Sequence, residues 1–229
     1  MKKQVLFKEA IGGWQNAGRV LLNWSGDPIR DLETMALSYR NVAHDRVEHL
    51  RSQRPDMRGI AAFEAYPIVF LYRQAFELVL KAIVFAGSVA LTDHGEEPMP
   101  IEKVMRHPLK PLFDEVSRVF EVLDSNDDDG WDFKHPELRT RSDFEALVRE
   151  FDLIDAGSFT FRYSMKTDGV TPSLAKHFDF DLFAFAEIMD RIIPALEGAP
   201  EWIREQMQDR WKAAYEAQQE ALKNGDYGG

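Results

Sequence analysis

The segment from Pro67 to Leu91 is apolar almost without interruption, yet Arg73, Glu77 and Lys81 sit in its middle. A helix apolar on nearly every face is buried, either among other helices or in a bilayer. The three ionic residues recur every four positions, so they line one face of that helix. Each charge costs roughly 3 kcal/mol at a bilayer centre, which argues against a membrane span. What remains is a central helix inside a bundle, starting near Pro67, with an ionic stripe that burial obliges to be paired.

At 229 residues the chain is long enough for a full core and fits one domain with extensions. It contains no Cys, which excludes disulfides, thiolate metal sites and cysteine nucleophiles, and fits the expected cytoplasmic location. The formal net charge of -11 opposes non-specific binding to nucleic acid or to anionic membranes. Met1-Lys2-Lys3 opens with positive charge, but Lys8, Glu9 and Gly12-Gly13 interrupt any apolar signal core.

Helical periodicity recurs on both sides of the central segment. Residues 1–26 read as an N-terminal extension packed on the core, and 27–197 as the bundle. Asp27-Pro28 starts a helix whose stripe runs through Leu32, Ala36, Tyr39, Ala43, Val47 and Leu50 to about Arg54-Pro55. Residues 92–107 read as a loop. Pro108 opens a helix lined by Leu109, Phe113, Val116 and Phe120, with His107 as its expected cap. Ser125 to Gly130 is an acidic turn. Ser142-Asp143-Phe144-Glu145 reads as a capping box, and Gly157 as the left-handed residue closing that helix. Phe159 to Ser164 alternates aromatic and polar residues, which predicts an extended piece before a short hairpin at Thr167-Asp168-Gly169. A helix follows over about 180–196, with a kink at Pro194. Residues 198–229 are a last helix and a frayed tail. Its stripe of Ile203, Met207, Trp211, Tyr215 and Leu222 suits either a partner, such as a second copy, or the bundle itself. The expected fold class is an all-α, up-and-down helical bundle of five to six helices.

Three segments, in this order, resemble the HEPN superfamily of helical-bundle proteins: Leu71 to Ala82, Arg106 to Phe113, and Phe151 to Asp155 with Ser158, Phe161-Arg162-Tyr163 and Asp168-Gly169. The resemblance covers roughly residues 65–170 and implies a dimer-prone bundle. Many HEPN proteins are metal-independent RNases; others are inactive, bind nucleotides or partner nucleotidyltransferases. The RNases carry an Arg and a His separated by four to six residues. None of the six His residues here has an upstream Arg at that spacing, and Arg40 to His44, with three between, comes nearest. The expectation is therefore a HEPN-like non-catalytic binding protein of a prokaryotic stress, toxin–antitoxin or phage-defence system. The implied partners are a second copy, a nucleotidyltransferase or another defence protein, with RNA or a nucleotide as ligand. No cofactor, metal or membrane is expected. The alternatives are an endoribonuclease with a rearranged site drawn from Arg73, His107 and Arg162, and a purely structural oligomeric scaffold.

The candidate site residues are Arg73, Glu77, Lys81, Asp155, Arg162 and Tyr163. As a site, Arg73, Lys81 and Arg162 would hold a phosphate beside the Tyr163 ring. As structure, Glu77 would pair with Arg73 and Lys81, and Asp155 with Arg162; this second role is favoured. His44 with Glu48, or Asp45 with His49, shares a helix face as half a metal site would, but a solvated face is the better reading. The run around Asp127 and Asp129 fails as a calcium loop, because Pro136 stands where a bidentate Glu is required.

Overall fold

The computed structural model describes residues 25–53, 61–123, 135–174 and 178–223. Most of the N-terminal extension, the connector over 54–60, the acidic turn with its calcium-loop frame, His177 and the tail lie outside the described residues. The rest is an all-α bundle: α1 Pro28–Ser52, α2 Ala61–Asp93, α3 Ile101–Val104, α4 Leu109–Val122, α5 Arg141–Asp155, α6 Leu182–Glu197 and α7 Ala199–Lys223. Helix α2 is the hub. It packs on α1, α4, α6 and α7, while α5 leans on α4. It is long and apolar enough to cross a membrane, but 78% of its most apolar window is buried inside the bundle.

Helix α1 starts where Asp27-Pro28 places it. The Asp27 carboxylate accepts from the amides of Ile29 (3.0 Å) and Arg30 (3.2 Å). Arg204 of α7 also reaches this carboxylate, at 3.1 Å, and ties the last helix to the first.

Helix α2 departs from expectation at its start. It begins at Ala61, and Pro67 lies inside it. Proline has no amide hydrogen, so its turn lacks one internal hydrogen bond. A tertiary contact supports the leading turns instead: Arg46 of α1 clasps Glu64 through Nε (2.7 Å) and Nη2 (2.5 Å). The expected loop over 92–107 contains the short helix α3.

Three further local expectations are corrected. The cap of α5 is Thr140, two residues before Ser142. Its hydroxyl accepts from the Asp143 amide at 3.2 Å, and Asp143 accepts from the Thr140 amide at 3.0 Å. An Asp three residues past the cap closes the box as a Glu would. The left-handed residue after α5 is Ser158, with φ 54°, and not Gly157. Residues 159–163 form a helical turn: the amides of Arg162 and Tyr163 both donate to the Phe159 carbonyl at 3.1 Å. The hairpin after it reduces to one antiparallel bridge, Met165 with Pro172, around Gly169 with φ 70°.

Helix α7 packs back through Ile203, Met207 and Trp202, whose ring stacks on Phe120 at 5.8 Å. Further along, Trp211 is 51% exposed.

Gly87 sets the spacing of α2 and α4. A Cβ there would overlap both Val119 methyls and lie 2.9 Å from the Val119 Cβ. Valine in a helix has one strongly preferred rotamer, so it cannot swing aside. Gly87→Ala should therefore lose about 1–3 kcal/mol in urea unfolding, although Ala gains about 1 kcal/mol in helix propensity. Adding Val119→Ala to the same chain should recover part of that loss; stabilisation by Gly87→Ala alone would refute the close approach.

Candidate functional site

The stripe on α2 meets the start of α4 and the end of α5. Arg73 and Glu77 are fully buried, and Lys81 is nearly so. Arg73 Nη1 donates to Glu77 Oε2 at 2.8 Å, and Lys81 Nζ donates to Glu77 Oε1 at 2.7 Å. The Arg73 guanidinium also reaches the segment before α4 and the end of α5. Nη2 donates to the His107 carbonyl at 2.7 Å, and Nε faces Asp155 Oδ2 at 3.4 Å, in ion-pair reach but without hydrogen-bond alignment. His107 Nδ1 lies 3.0 Å from Glu77 Oε1, and its ring, 49% exposed, is the group's outlet to solvent.

Two cations, Arg73 and Lys81, thus face two carboxylates, Glu77 and Asp155. Burial pushes the Glu77 carboxyl up. Hydrogen bonds from Lys81 and His107, with the charges of Lys81 and Arg73, more than offset this and hold it below the usual carboxylate range.

Asp155 does not hold Arg162, contrary to the sequence expectation. Its Oδ1 accepts from the amides of Phe159 (2.6 Å) and Thr160 (2.7 Å), which folds the chain into the turn after α5. Arg162 donates to the Ser158 carbonyl, and its guanidinium lies 5.6 Å from the Phe70 ring and 5.7 Å from that of Tyr163. Arg162 and Tyr163 are exposed, so the structure separates them from the buried group. Nor does His107 cap α4. Asp152 does so from α5, accepting from the amides of Leu109 (3.0 Å) and Lys110 (2.9 Å). A long-range cap of this kind leaves no local sequence pattern.

A second polar group went unread in the sequence. Asp190 of α6 accepts from Arg40 Nε (2.8 Å) and the Tyr72 hydroxyl (3.0 Å), and lies 2.7 Å from His44 Nδ1. Burial, then the Asp190 charge, pushes the Tyr72 phenol far above its usual value, so it stays protonated as a donor. His44 does not pair with Glu48, which binds Arg51, and His49 lies against Gln53. The i, i+4 spacing of Arg40 and His44 was visible; Asp190, about 150 positions away, was not.

A third feature is a cavity of about 190 Å3 where α2, α5 and α6 meet Phe161 and residues 178–181. Phe151, Phe161, Phe178, Phe180 and Phe185 line it, with Glu150 and Asp181 among them. A more open chamber of about 280 Å3 adjoins it and shares Phe161, Phe178 and Phe180.

Removing Glu77 leaves buried Arg73 with Asp155 alone and takes from Lys81 the carboxylate it pairs with. Glu77→Ala should cost about 3–5 kcal/mol in chemical denaturation; a loss within about 0.5 kcal/mol would mean the stripe is solvated. The pH dependence follows from the lowered Glu77 value. The folded state binds the Glu77 proton more weakly than the unfolded chain. The resulting stability is complete above the ordinary value of 4.5 and is lost as pH falls through the lower folded value. Urea midpoints measured from pH 6 downward should fall below about pH 4.5, and less steeply in Glu77→Gln.

No family model, curated protein or solved structure matches the chain. What the molecule can bind is therefore read from its own geometry.

Proposed function

We propose that this chain is a cytoplasmic, non-catalytic binding protein with a HEPN-like bundle, serving a prokaryotic stress, toxin–antitoxin or phage-defence system. Its binding site is the aromatic cavity and not the ionic stripe. One observation carries this: an open space of about 190 Å3 between α2, α5 and α6 is lined by five phenylalanines. Close packing is the rule inside proteins, and an apolar concavity with a few polar groups at its edge is where small molecules bind. The stripe supports the same division of labour, since Arg73 and Lys81 already face Glu77 and Asp155 and offer no unmatched charge to a phosphate. The three HEPN-like segments favour a second copy, a nucleotidyltransferase or another defence protein as partner. RNA or a nucleotide would meet the chain at the exposed Arg162 and Tyr163.

A ligand that binds only the folded state must stabilise it by linkage. Small apolar compounds that enter the cavity should raise the melting temperature in a dose-dependent way, by roughly 5–10 °C at a hundredfold excess over Kd. Ile188→Trp, which fills the cavity, should remove the effect. A compound set that produces no such shift would refute the cavity as a site.

The second reading, a metal-independent endoribonuclease, draws on the group around Asp190. With Nδ1 protonated toward Asp190, the His44 ring presents Nε2 as a base, and this atom has no partner among the described residues. Arg40 lies beside it. The expected result with mixed RNA in chelator is no cleavage. Cleavage abolished by His44→Ala and by Arg40→Ala would decide for the enzyme.

A further inference from the structure

The cavity selects by charge as well as by shape. We infer that it takes a small organic cation of the quaternary-ammonium class, held against phenylalanine rings and drawn in by carboxylates at its mouth. This rests on the cavity being a binding site, as proposed above.

Size comes first. A dry cavity of about 150 Å3 holds a benzene ring, whereas drug-sized ligands need about 300 Å3 or more. At about 190 Å3 the inner chamber suits one ring or one branched head group and is too small for a nucleotide. The rest of a longer ligand would run into the outer chamber past Phe178.

The walls come next. Phe180 meets Phe185 edge to face at 6.0 Å and 85°, and Phe151 meets Phe185 at 5.9 Å and 70°. Phe178 stacks beside Phe180 at 5.3 Å. Rings set at steep angles enclose a space from several sides. A phenylalanine face turned toward such a space carries the negative end of a quadrupole and attracts a cation in preference to a neutral group of equal shape.

Charge decides between a cation and an anion. Glu150 and Asp181 line the inner chamber and Asp179 the outer one. The described lining residues of the two chambers include no Lys, Arg or His. One Asp181 oxygen caps α6, accepting from the amides of Phe183 (2.9 Å) and Ala184 (3.1 Å), which offsets the positive end of that helix. The other Asp181 oxygen and the Glu150 carboxylate have no partner among the described residues. A phosphate would meet these carboxylates as like charges; an ammonium group would complete them.

Choline and 3,3-dimethyl-1-butanol have nearly the same shape and differ in charge. In NMR titrations of the full chain at matched ionic strength, choline should bind at least about tenfold more tightly than the alcohol. Glu150→Gln with Asp181→Asn, which keeps the helix cap, should cut choline affinity several-fold and leave the alcohol unchanged. Phe178→Ala, at a half-exposed ring, should weaken choline. Equal affinity for both compounds overturns the cation inference and leaves an apolar site standing. Choline binding that ignores all three substitutions places the cation elsewhere and overturns it too. Absence of choline binding also overturns it; if apolar compounds give no thermal shift either, the proposed function falls with it.

Discussion

A carboxylate with no exposure to water, Glu77, is the constraint on which the bundle depends. It sits on a helix whose other neighbours are Tyr72, Phe76, Leu80 and Ile83, all fully buried. In such surroundings a bare charge is too costly to keep. Glu77 stays ionised because Lys81, Arg73 and His107 all converge on it. Those contacts fix more than one helix. Arg73 reaches from Glu77 to the His107 carbonyl before α4 and to Asp155 at the end of α5. Asp155 in turn gathers the amides of Phe159 and Thr160. One buried ionic group therefore sets the register of α2, the entry to α4 and the exit from α5. Swapping such a group for apolar residues often costs little stability. Its effect here is geometric, because three segments share one polar point.

The Asp190 group differs in degree of burial and in openness. Tyr72 is fully buried, but Arg40 and Asp190 are partly exposed, and His44 keeps 37% of its side chain in solvent. Screening makes each contact weaker, while the same exposure leaves a ring nitrogen accessible. The two groups divide α2 between them. One face is closed by a neutral ionic stripe; on the other, the Tyr72 hydroxyl reaches the carboxylate that collects Arg40 and His44. Chemistry with solvent or a ligand is available to the second group far more than to the first.

Short-range patterns were legible. Asp27-Pro28 as a cap, the stripe from Ala36 to Leu50 and the ionic spacing on α2 all depend on residues within one or two turns. The pairing of Arg73 and Lys81 through Glu77 was readable for the same reason. The misreadings share a cause, which is competition from distant or less usual partners. Pro67 looked like a first helical residue because Glu64, held by Arg46, supports turns that local sequence does not. His107 looked like a cap because Asp152, which does the capping, is some 40 positions away. Phe159 to Ser164 has the alternation of a strand, but Asp155 draws its amides into a turn, and the alternation serves Phe161 packing under Tyr66 at 6.3 Å. The cavity was illegible for a stronger reason. Its phenylalanines come from three parts of the chain, and each alone reads as ordinary core.

The cavity's position follows from the backbone around it. Helices pack by fitting ridges into grooves, and α2 against α4 does this so closely that Gly87 has no room for a methyl. Between α5 and α6 the described residues, 156–174 and 178–181, form no regular helix to offer such ridges. Its backbone groups are met by turns, by the Asp155 carboxylate and by the Asp168 carboxylate, which accepts from Val170 (2.9 Å) and Thr171 (2.8 Å). It covers α2, α5 and α6 with single aromatic side chains, and large rings set at angles leave gaps that interlocking aliphatic rows would fill. A rigid helical floor under an irregular aromatic roof is the usual setting for a binding site, because the roof residues can change without disturbing the fold beneath. In this bundle the ionic group serves that floor: by pinning the end of α5 through Asp155, it fixes where the roof begins.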